Sequence, residues 1–264
     1  MNNRKLRPRV KAIAAAIAAA LLIGMVVFAQ GRGSGVPAFP TAAAAQSAVT
    51  VTERVLQLHQ QLKDDEAINS DVVGILDFDS GLITQPVLQG DTNEKYLRTK
   101  WEDMSEQSYG SIFMDYRNQL SEDEENTIIY GHYVYEKANA DRTLAFTPLR
   151  QLRDVSQYSS NRFLSLILDD SVRCYEIVSV YDCPLETLAD GSQATVEDLQ
   201  YNMVEYSDDY FRTYMEAVKQ AELYSTGAHL TRDDRILTLQ TCIEDDAGSR
   251  QIILCRETGR AALD

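Results

Sequence analysis

The chain has 264 residues, 44% of them hydrophobic, and its formal net charge is −15 at pH 7. This length and composition are typical of one globular domain of about 200 residues with an appendage. All 40 acidic side chains lie after residue 32, together with 19 of the 25 basic ones. Because phosphate binding needs clustered lysines and arginines, so acidic a body argues against a nucleic-acid partner.

An uncharged, apolar run covers residues 12–29, directly after a basic cluster. As a helix it is about 27 Å long, which is close to the hydrocarbon thickness of a bilayer. The positive-inside rule keeps the N-terminus cytoplasmic and exports the rest of the chain. We therefore expect a basic tip with a single-pass anchor over 1–30, a flexible linker over 31–50 and an extracellular domain over 51–264. A cleaved secretory signal is the alternative, and it exports the same domain.

Two helices are predicted in the exported domain. Val51, Val55, Leu58 and Leu62 fall at helical spacing with polar residues between them, which predicts an amphipathic helix at the start of the domain. The long stretch 184–230 begins polar and then becomes helix-favouring around 210–223. We expect a second helix there, inside one long connection.

The remainder is rich in short β-type runs. Eight strands are predicted, over 72–78, 83–89, 111–116, 127–131, 162–169, 172–181, 235–241 and 251–256. The polar breaks 79–81 and 169–171 predict tight turns between neighbouring strands. A mainly β domain with added helices and eight strands fits a closed barrel, because closure removes exposed strand edges.

Four cysteines, Cys174, Cys183, Cys242 and Cys255, have no zinc-ligand spacing. Cys174 and Cys255 lie in apolar strand-like runs, where a buried free thiol is common. A disulfide between Cys174 and Cys183 requires the strand to bend, and the sequence leaves the disulfide state open. Cys242 differs because it stands at the end of a predicted strand.

Two further residues at strand ends could work with Cys242: His132 follows 127–131, and Arg250 precedes 251–256. A cationic neighbour lowers the pKa of a thiol, and an imidazolium can protonate a leaving amine. An arginine can stabilise an oxyanion. Each residue alone also has an ordinary interpretation: a turn histidine, a buried small side chain, or a surface ion pair of Arg250 with Glu244, Asp245 or Asp246.

The motifs resemble those of a known family, the sortases. Thr238-Leu239-Gln240-Thr241-Cys242 is similar to the sortase TLxTC signature, and an arginine follows eight residues later. Tyr130-Gly131-His132 is similar to the family's histidine strand. The runs 110–118 and 89–97, and the two added helices, resemble class B sortases in particular. The resemblance covers most of residues 51–256.

This resemblance implies an eight-stranded sortase-type β-barrel and a cysteine transpeptidase. Cys242 would be the nucleophile, His132 the general acid and base, and Arg250 the stabiliser of substrate and intermediate. The resemblance also implies a substrate groove, lined by Asn93, Leu97, Tyr201, Gln240 and Thr241. It implies no cofactor and no metal.

Sortases cut a sorting signal after Thr, hold the protein as a thioester and pass it to an amine. The expected partners are a surface protein that carries such a signal, a cell-wall peptide or pilin amine, and the membrane through the N-terminal helix. A cysteine hydrolase and an inactive surface binding domain are the alternatives. An L,D-transpeptidase is a third alternative, but the Ser-His-Gly-Cys run that it needs is absent from the sequence.

Overall fold

The computed structural model describes residues 49–134, 143–184, 203–243 and 246–263, and at 184, 242, 243 and 246–248 it describes the backbone alone. Two α-helices and eight strands are found in these ranges: α1 (Glu53–Ile68), β1 (Val72–Phe78), β2 (Thr84–Leu88), β3 (Phe113–Met114), β4 (Asn126–Tyr130), β5 (Phe163–Ile167), β6 (Ser171–Pro184), α2 (Asp208–Ala221), β7 (Ile236–Ile243) and β8 (Asp246–Ala262). Short 3-10 helices lie at Lys95–Leu97, Thr147–Arg153 and Val155–Gln157.

The strands close into a barrel in the order β1-β2-β3-β4-β7-β8-β6-β5, and β5 pairs with β1. Two neighbouring pairs, β2 with β3 and β4 with β7, are parallel, and the other pairs are antiparallel. The parallel pair β4 and β7 matters most for function, because the carboxyl ends of parallel strands meet at one edge of the sheet. The predicted fold class, mainly β with an eight-stranded barrel and added helices, is confirmed.

Side-chain alternation decides which residues fill the barrel. On β7, Leu237 and Leu239 are completely buried in the interior cluster, which also holds Ile129 of β4 and Ile253 and Cys255 of β8. The intervening residues of β7, Thr238 and Gln240, therefore lie on the outer face. This alternation separates the residues that stabilise the barrel from those that can line a site.

Each helix covers a different part of the barrel. Thr52 caps α1 by accepting a hydrogen bond from the Val55 N–H at 3.3 Å, and Leu58 and Leu62 pack into a second apolar cluster with β1. Ser207 caps α2, which lies against β6. Its buried side chains, Phe211, Tyr214 and Val218, join a third cluster. The helix predicted inside the long connection is thus confirmed.

Only β1 has the predicted bounds, and the differences at β3 and β8 have a clear physical reason. The strand predicted over 111–116 is confined to Phe113–Met114, because a turn begins at Asp115. The Asn118 N–H closes this turn by donating to the Asp115 backbone carbonyl at 3.1 Å. The strand predicted to end at residue 256 continues to Ala262. This continuation is charged, and its backbone pairs with β6, as in Arg173 with Arg260. Hydrophobic alternation does not reveal such a polar extension.

Cys174 and Cys255 are free thiols, and Cys183 and Cys255 are buried. The disulfide that the sequence left open between Cys174 and Cys183 is therefore not formed. In the described part of the chain, no helix has the length and apolar character needed to cross a bilayer. The predicted anchor over 12–29 lies outside the described residues.

Candidate active site

The ends of β4, β7 and β8 bring the three candidate residues to one level of the sheet. In the parallel ladder, Tyr130 is paired with Gln240, and the Gly131 N–H donates to the Gln240 carbonyl at 3.1 Å. His132 follows Gly131 and lies two residues past the end of β4. Cys242 lies two residues beyond Gln240 on β7. In the antiparallel ladder, Cys242 is paired directly with Arg250. The backbone register therefore places residues 132, 242 and 250 next to one another near the carboxyl ends of β4 and β7. Arg250 lies inside β8, whereas the sequence predicted it directly before this strand, because the pairing with β7 extends β8 back to Asp246.

The imidazole of His132 is held from the side opposite to β7. Its Nε2 lies 3.0 Å from the carbonyl oxygen of Leu97, which identifies Nε2 as the protonated nitrogen that donates this bond. Burial lowers the pKa of His132 below its usual 6.5, the bond to Leu97 opposes this, and the positive charges of Arg98 and Arg250 lower the pKa further. His132 is therefore mostly neutral at pH 7, and once protonated it is a better acid than an exposed histidine.

A close backbone approach sets the position of the Leu97 carbonyl. Gly110 has φ +51°, and a Cβ at this residue would lie 2.0 Å from the Tyr96 carbonyl oxygen and 2.6 Å from the Leu97 carbonyl carbon. Tyr96 is completely buried and donates from its hydroxyl to Asp71 at 2.7 Å. Only glycine leaves room for this contact, so Gly110 fixes the segment that holds His132.

Gly131, directly before His132, is also constrained by space. A Cβ at this residue would lie 2.6 Å from Cγ of the buried Phe146 ring. Phe146 also contacts His132, because the Phe146 N–H donates to the His132 carbonyl at 3.0 Å. The small residue in Tyr130-Gly131-His132 thus allows the strand end to rest against the aromatic ring.

Arg250 is partly buried, and its Nη1 donates to the Ser249 carbonyl at 3.1 Å. Its charge contributes to lowering the pKa of His132. A guanidinium close to a histidine and beside a paired cysteine is suited to stabilise negative charge on an oxygen.

A polar cluster lies beside these residues. The Asp115 carboxylate accepts hydrogen bonds from the Tyr130 hydroxyl at 2.7 Å, from Asn93 Nδ2 at 3.0 Å and from two guanidinium nitrogens of Arg117. Burial alone would raise the pKa of Asp115, but the bonds from Arg117 and Tyr130 and the Arg117 charge hold the pKa below 3.8. Asp115 is therefore a buried carboxylate that stays ionised.

The residues predicted to line the substrate groove have different environments. Asn93 is partly exposed, and Leu97 is 37% exposed beside His132. Gln240 is on the outer face of β7 and is nearly buried. Thr241 is 2% exposed and follows the interior-facing alternation, so a groove contact by this residue is restricted to its backbone. Tyr201 lies outside the described residues. Their binding role stays a prediction.

Two residues that influence the site had no role in the prediction from sequence. Asp115 stood in the run 110–118, and Arg98 followed Leu97, but neither spacing nor residue type indicated that Asp115 is buried or that Arg98 acts on His132. The only signal for Asp115 was its place next to Arg117 in a strand-like run. Long-range contacts bring both residues to the site.

Comparisons with known proteins agree on one family, although no family model matches the chain. The chain is 30% identical over 183 residues to Sortase B of Staphylococcus aureus (strain NCTC 8325 / PS 47), which covers 69% of this chain and 67% of that protein. The Staphylococcus aureus sortase B-substrate complex superposes with a TM-score of 0.62 at 25% identity, covering 78% of this chain and 87% of that one. A sortase B complexed with triglycine gives a TM-score of 0.61 at 26% identity, covering 78% and 88%.

Proposed function

The chain belongs to the class B sortases, cysteine transpeptidases that anchor proteins to the cell wall, and on this premise we propose which residues carry out the reaction. The Cys242 thiolate attacks the carbonyl carbon of the Thr in a C-terminal sorting signal. Arg250 stabilises the oxyanion that forms. His132, in its protonated form, gives a proton to the leaving amine as the peptide bond breaks, which leaves a thioester on Cys242 and a neutral His132.

The second half of the reaction returns the enzyme to its starting state. An amine of the cell-wall peptide, or of a pilin, gives up a proton to the neutral His132 and attacks the thioester carbonyl. A new amide bond forms, the carbon–sulfur bond breaks, and Cys242 leaves as the thiolate. The lowered pKa of His132 suits both steps, because it makes the protonated form a stronger acid towards the leaving amine and leaves the neutral form to accept the proton of the incoming amine.

The observation that carries this proposal is the register of the three strand ends. Tyr130 is paired with Gln240, and Cys242 is paired with Arg250, so the backbones of residues 132, 242 and 250 lie close together, which supports the roles proposed for them. Hydrogen bonding of His132 to Leu97 adds a fixed orientation for the base. This is the arrangement that general-base and nucleophilic catalysis require.

The proposed groove runs from the catalytic level towards Leu97 and Asn93. The exposed part of Leu97 offers an apolar contact beside His132, and Asn93 offers a polar one. Gln240, the backbone of Thr241, and Tyr201 complete the proposed groove. Complexes of sortase B with substrate and with triglycine support a peptide signal and an amine acceptor.

We further propose that the enzyme works outside the cell on a membrane tether. Residues 1–30 would form the cytoplasmic tip and anchor, 31–50 the linker and 51–264 the catalytic domain. The apolar run and the basic cluster before it support this topology. In intact cells, added protease should remove the catalytic domain, and an immunoblot of full-length chain in the membrane fraction would exclude a cleaved signal. A protected domain would contradict the proposed orientation.

The activity is tested with the purified domain and a library of sorting-signal peptides, with and without triglycine as acceptor. We expect cleavage after Thr, a triglycine-linked product and an acyl-enzyme mass on Cys242. Cys242→Ala should abolish all three, whereas Cys174→Ala, which removes a half-buried thiol of β6, should retain them. Hydrolysed peptide with no triglycine product would indicate a hydrolase. A Cys242→Ala protein as active as the wild type would exclude this cysteine as the nucleophile.

A further inference from the structure

Asp115 lies between the barrel core and the proposed groove, and its carboxylate is completely buried. Oδ1 accepts hydrogen bonds from the Arg117 backbone N–H at 2.9 Å and from its Nε at 2.8 Å. Oδ2 accepts from Arg117 Nη2 at 2.7 Å, from the Tyr130 hydroxyl at 2.7 Å and from Asn93 Nδ2 at 3.0 Å. Every one of these bonds is donated to a charged oxygen, so the cluster is stronger than one of neutral groups.

Arg117 explains how the carboxylate can be buried. Its guanidinium binds both oxygens, which balances the charge that burial would otherwise destabilise. Arg117 is bound to its near neighbour Asp115 within one turn, and this pair is itself a sufficient reason for an acid at position 115. The bonds from Asn93 and Tyr130 are not needed for charge balance, and they connect the carboxylate to the proposed groove.

The amide of Asn93 is fixed in one orientation by two contacts. Its Nδ2 donates to Asp115 Oδ2, and its Oδ1 accepts from the Tyr116 backbone N–H at 3.0 Å. A flipped amide would place its oxygen against the carboxylate and its NH₂ group against an N–H, so both contacts would become repulsive. An amide has two N–H donors, and the polar group that this orientation leaves for a ligand is the second N–H.

We propose that Asp115 is a positioning residue for peptide binding, which acts through Asn93. The carboxylate holds the Asn93 amide so that its second N–H is directed to a carbonyl oxygen of the sorting peptide. Tyr130 occupies the same Oδ2 and keeps this oxygen from turning away. The inference rests on the proposed function, because it takes Asn93 to be part of the peptide groove.

The test compares Asp115→Asn with a matched control, Asp77→Asn. Asp77 is also a buried carboxylate that binds an arginine and a hydroxyl: Arg54 Nε at 2.8 Å and Thr84 Oγ1 at 2.6 Å. It lies on β1, away from the strand ends that form the site. Both variants are expected to lower the thermal midpoint, so loss of stability alone cannot separate them.

The kinetic readout separates positioning from a structural role. For the best peptide of the library, Asp115→Asn should raise KM about tenfold, the effect of losing one well-made hydrogen bond. Its kcat should stay within about threefold, and the rate at which iodoacetamide alkylates Cys242 should be unchanged. Asp77→Asn should change none of these three quantities. Asp115→Asn that lowers kcat and the alkylation rate while KM stays constant would overturn the proposal.

A double-mutant cycle tests the route through Asn93. Asn93→Ala should raise KM by a similar factor, and Asp115→Asn should add almost nothing in the Asn93→Ala background. Full additivity of the two effects would show that Asp115 does not act through Asn93. If instead the wild type cleaves no peptide, or Cys242→Ala is as active, the proposed function fails first, and that result is seen before either Asp115 variant is measured.

Discussion

Replacing Gly131 by alanine should slow catalysis by moving His132, although residue 131 contacts no substrate in the proposed mechanism. The new Cβ would lie 2.6 Å from Phe146 Cγ, and an ordinary van der Waals contact begins at 3.4 Å. A gap of about 0.8 Å must therefore open between the strand end and the ring. Phe146 is completely buried and its N–H is bonded to the His132 carbonyl, so His132 shares the displacement.

The size of the effect follows from this displacement. Overpacking of a buried contact costs about 1–3 kcal/mol of unfolding free energy, or a few degrees in the thermal midpoint for a domain of this size. A catalytic group misplaced by about 1 Å costs on the order of 100-fold in rate. We expect Gly131→Ala to reduce kcat by roughly 10- to 100-fold, with a smaller change in KM.

The assay is steady-state peptide cleavage combined with thermal unfolding. Gly81→Ala is the control: Gly81 has φ +78°, so alanine is strained there, but no other atom lies within 4 Å of its Cβ. It should lower stability by about 1–2 kcal/mol and leave kcat unchanged. In Gly131→Ala, a second change of Phe146→Ala should recover part of the lost kcat, because it removes Cγ and Cδ2, the two atoms nearest to the new Cβ. Gly131→Ala with the wild-type kcat and a lowered thermal midpoint would refute the reasoning.

Three further predictions concern ionisable groups. The pH profile of kcat/KM should be bell-shaped, with an acidic limb centred below 6.5, because burial and nearby positive charge lower the pKa of His132. A flat profile would contradict the pairing of His132 with a thiolate. Brief iodoacetamide treatment of the native protein should modify Cys242 and spare Cys183 and Cys255, which are buried. Burial also raises the pKa of Cys255, which lowers its reactivity. The modified residues are identified by peptide mass spectrometry, and early labelling of Cys255 would show that the barrel opens. The stability contributed by ionised Asp115 is present above its unfolded-state pKa of about 3.8 and is lost as pH falls through its lowered folded-state pKa. In a plot of unfolding free energy against pH, Asp115→Asn should therefore have a smaller slope at acidic pH than the wild type. Parallel curves for the two proteins would exclude this linkage.

The sequence predicted a strand well where its apolar side chains are buried. Residues 72–78 form a strand as predicted, because apolar side chains fill both the barrel and the α1 interface. It failed at the charged end of β8, where Glu257 and Arg260 pair with each other while their backbone extends the ladder with β6. Backbone hydrogen bonds between β6 and β8 set that boundary, and the spacing of hydrophobic residues does not indicate such bonds.

The residues of the candidate site were also only partly predicted from the sequence. His132, Cys242 and Arg250 were identifiable because each stands at the end of a predicted strand, although Arg250 lies inside β8 in the structure. Asp115 and Arg98 were not identifiable as contributors, since their effects depend on which distant segments they meet: Asn93 and Tyr130 for Asp115, and His132 for Arg98. A single sequence without the pairing of β4 with β7 does not contain that information.

The parallel pairing of β4 with β7 joins two segments that are far apart in the chain. These strands are joined by the hydrogen bond from Thr238 Oγ1 to Asn126 Oδ1, between residues 112 positions apart. Contacts of such sequence separation form late, after most of the chain entropy has been lost. Under the proposed mechanism, a nascent or partly folded chain therefore holds Cys242 without His132 beside it, and we expect peptide cleavage only from the completed barrel.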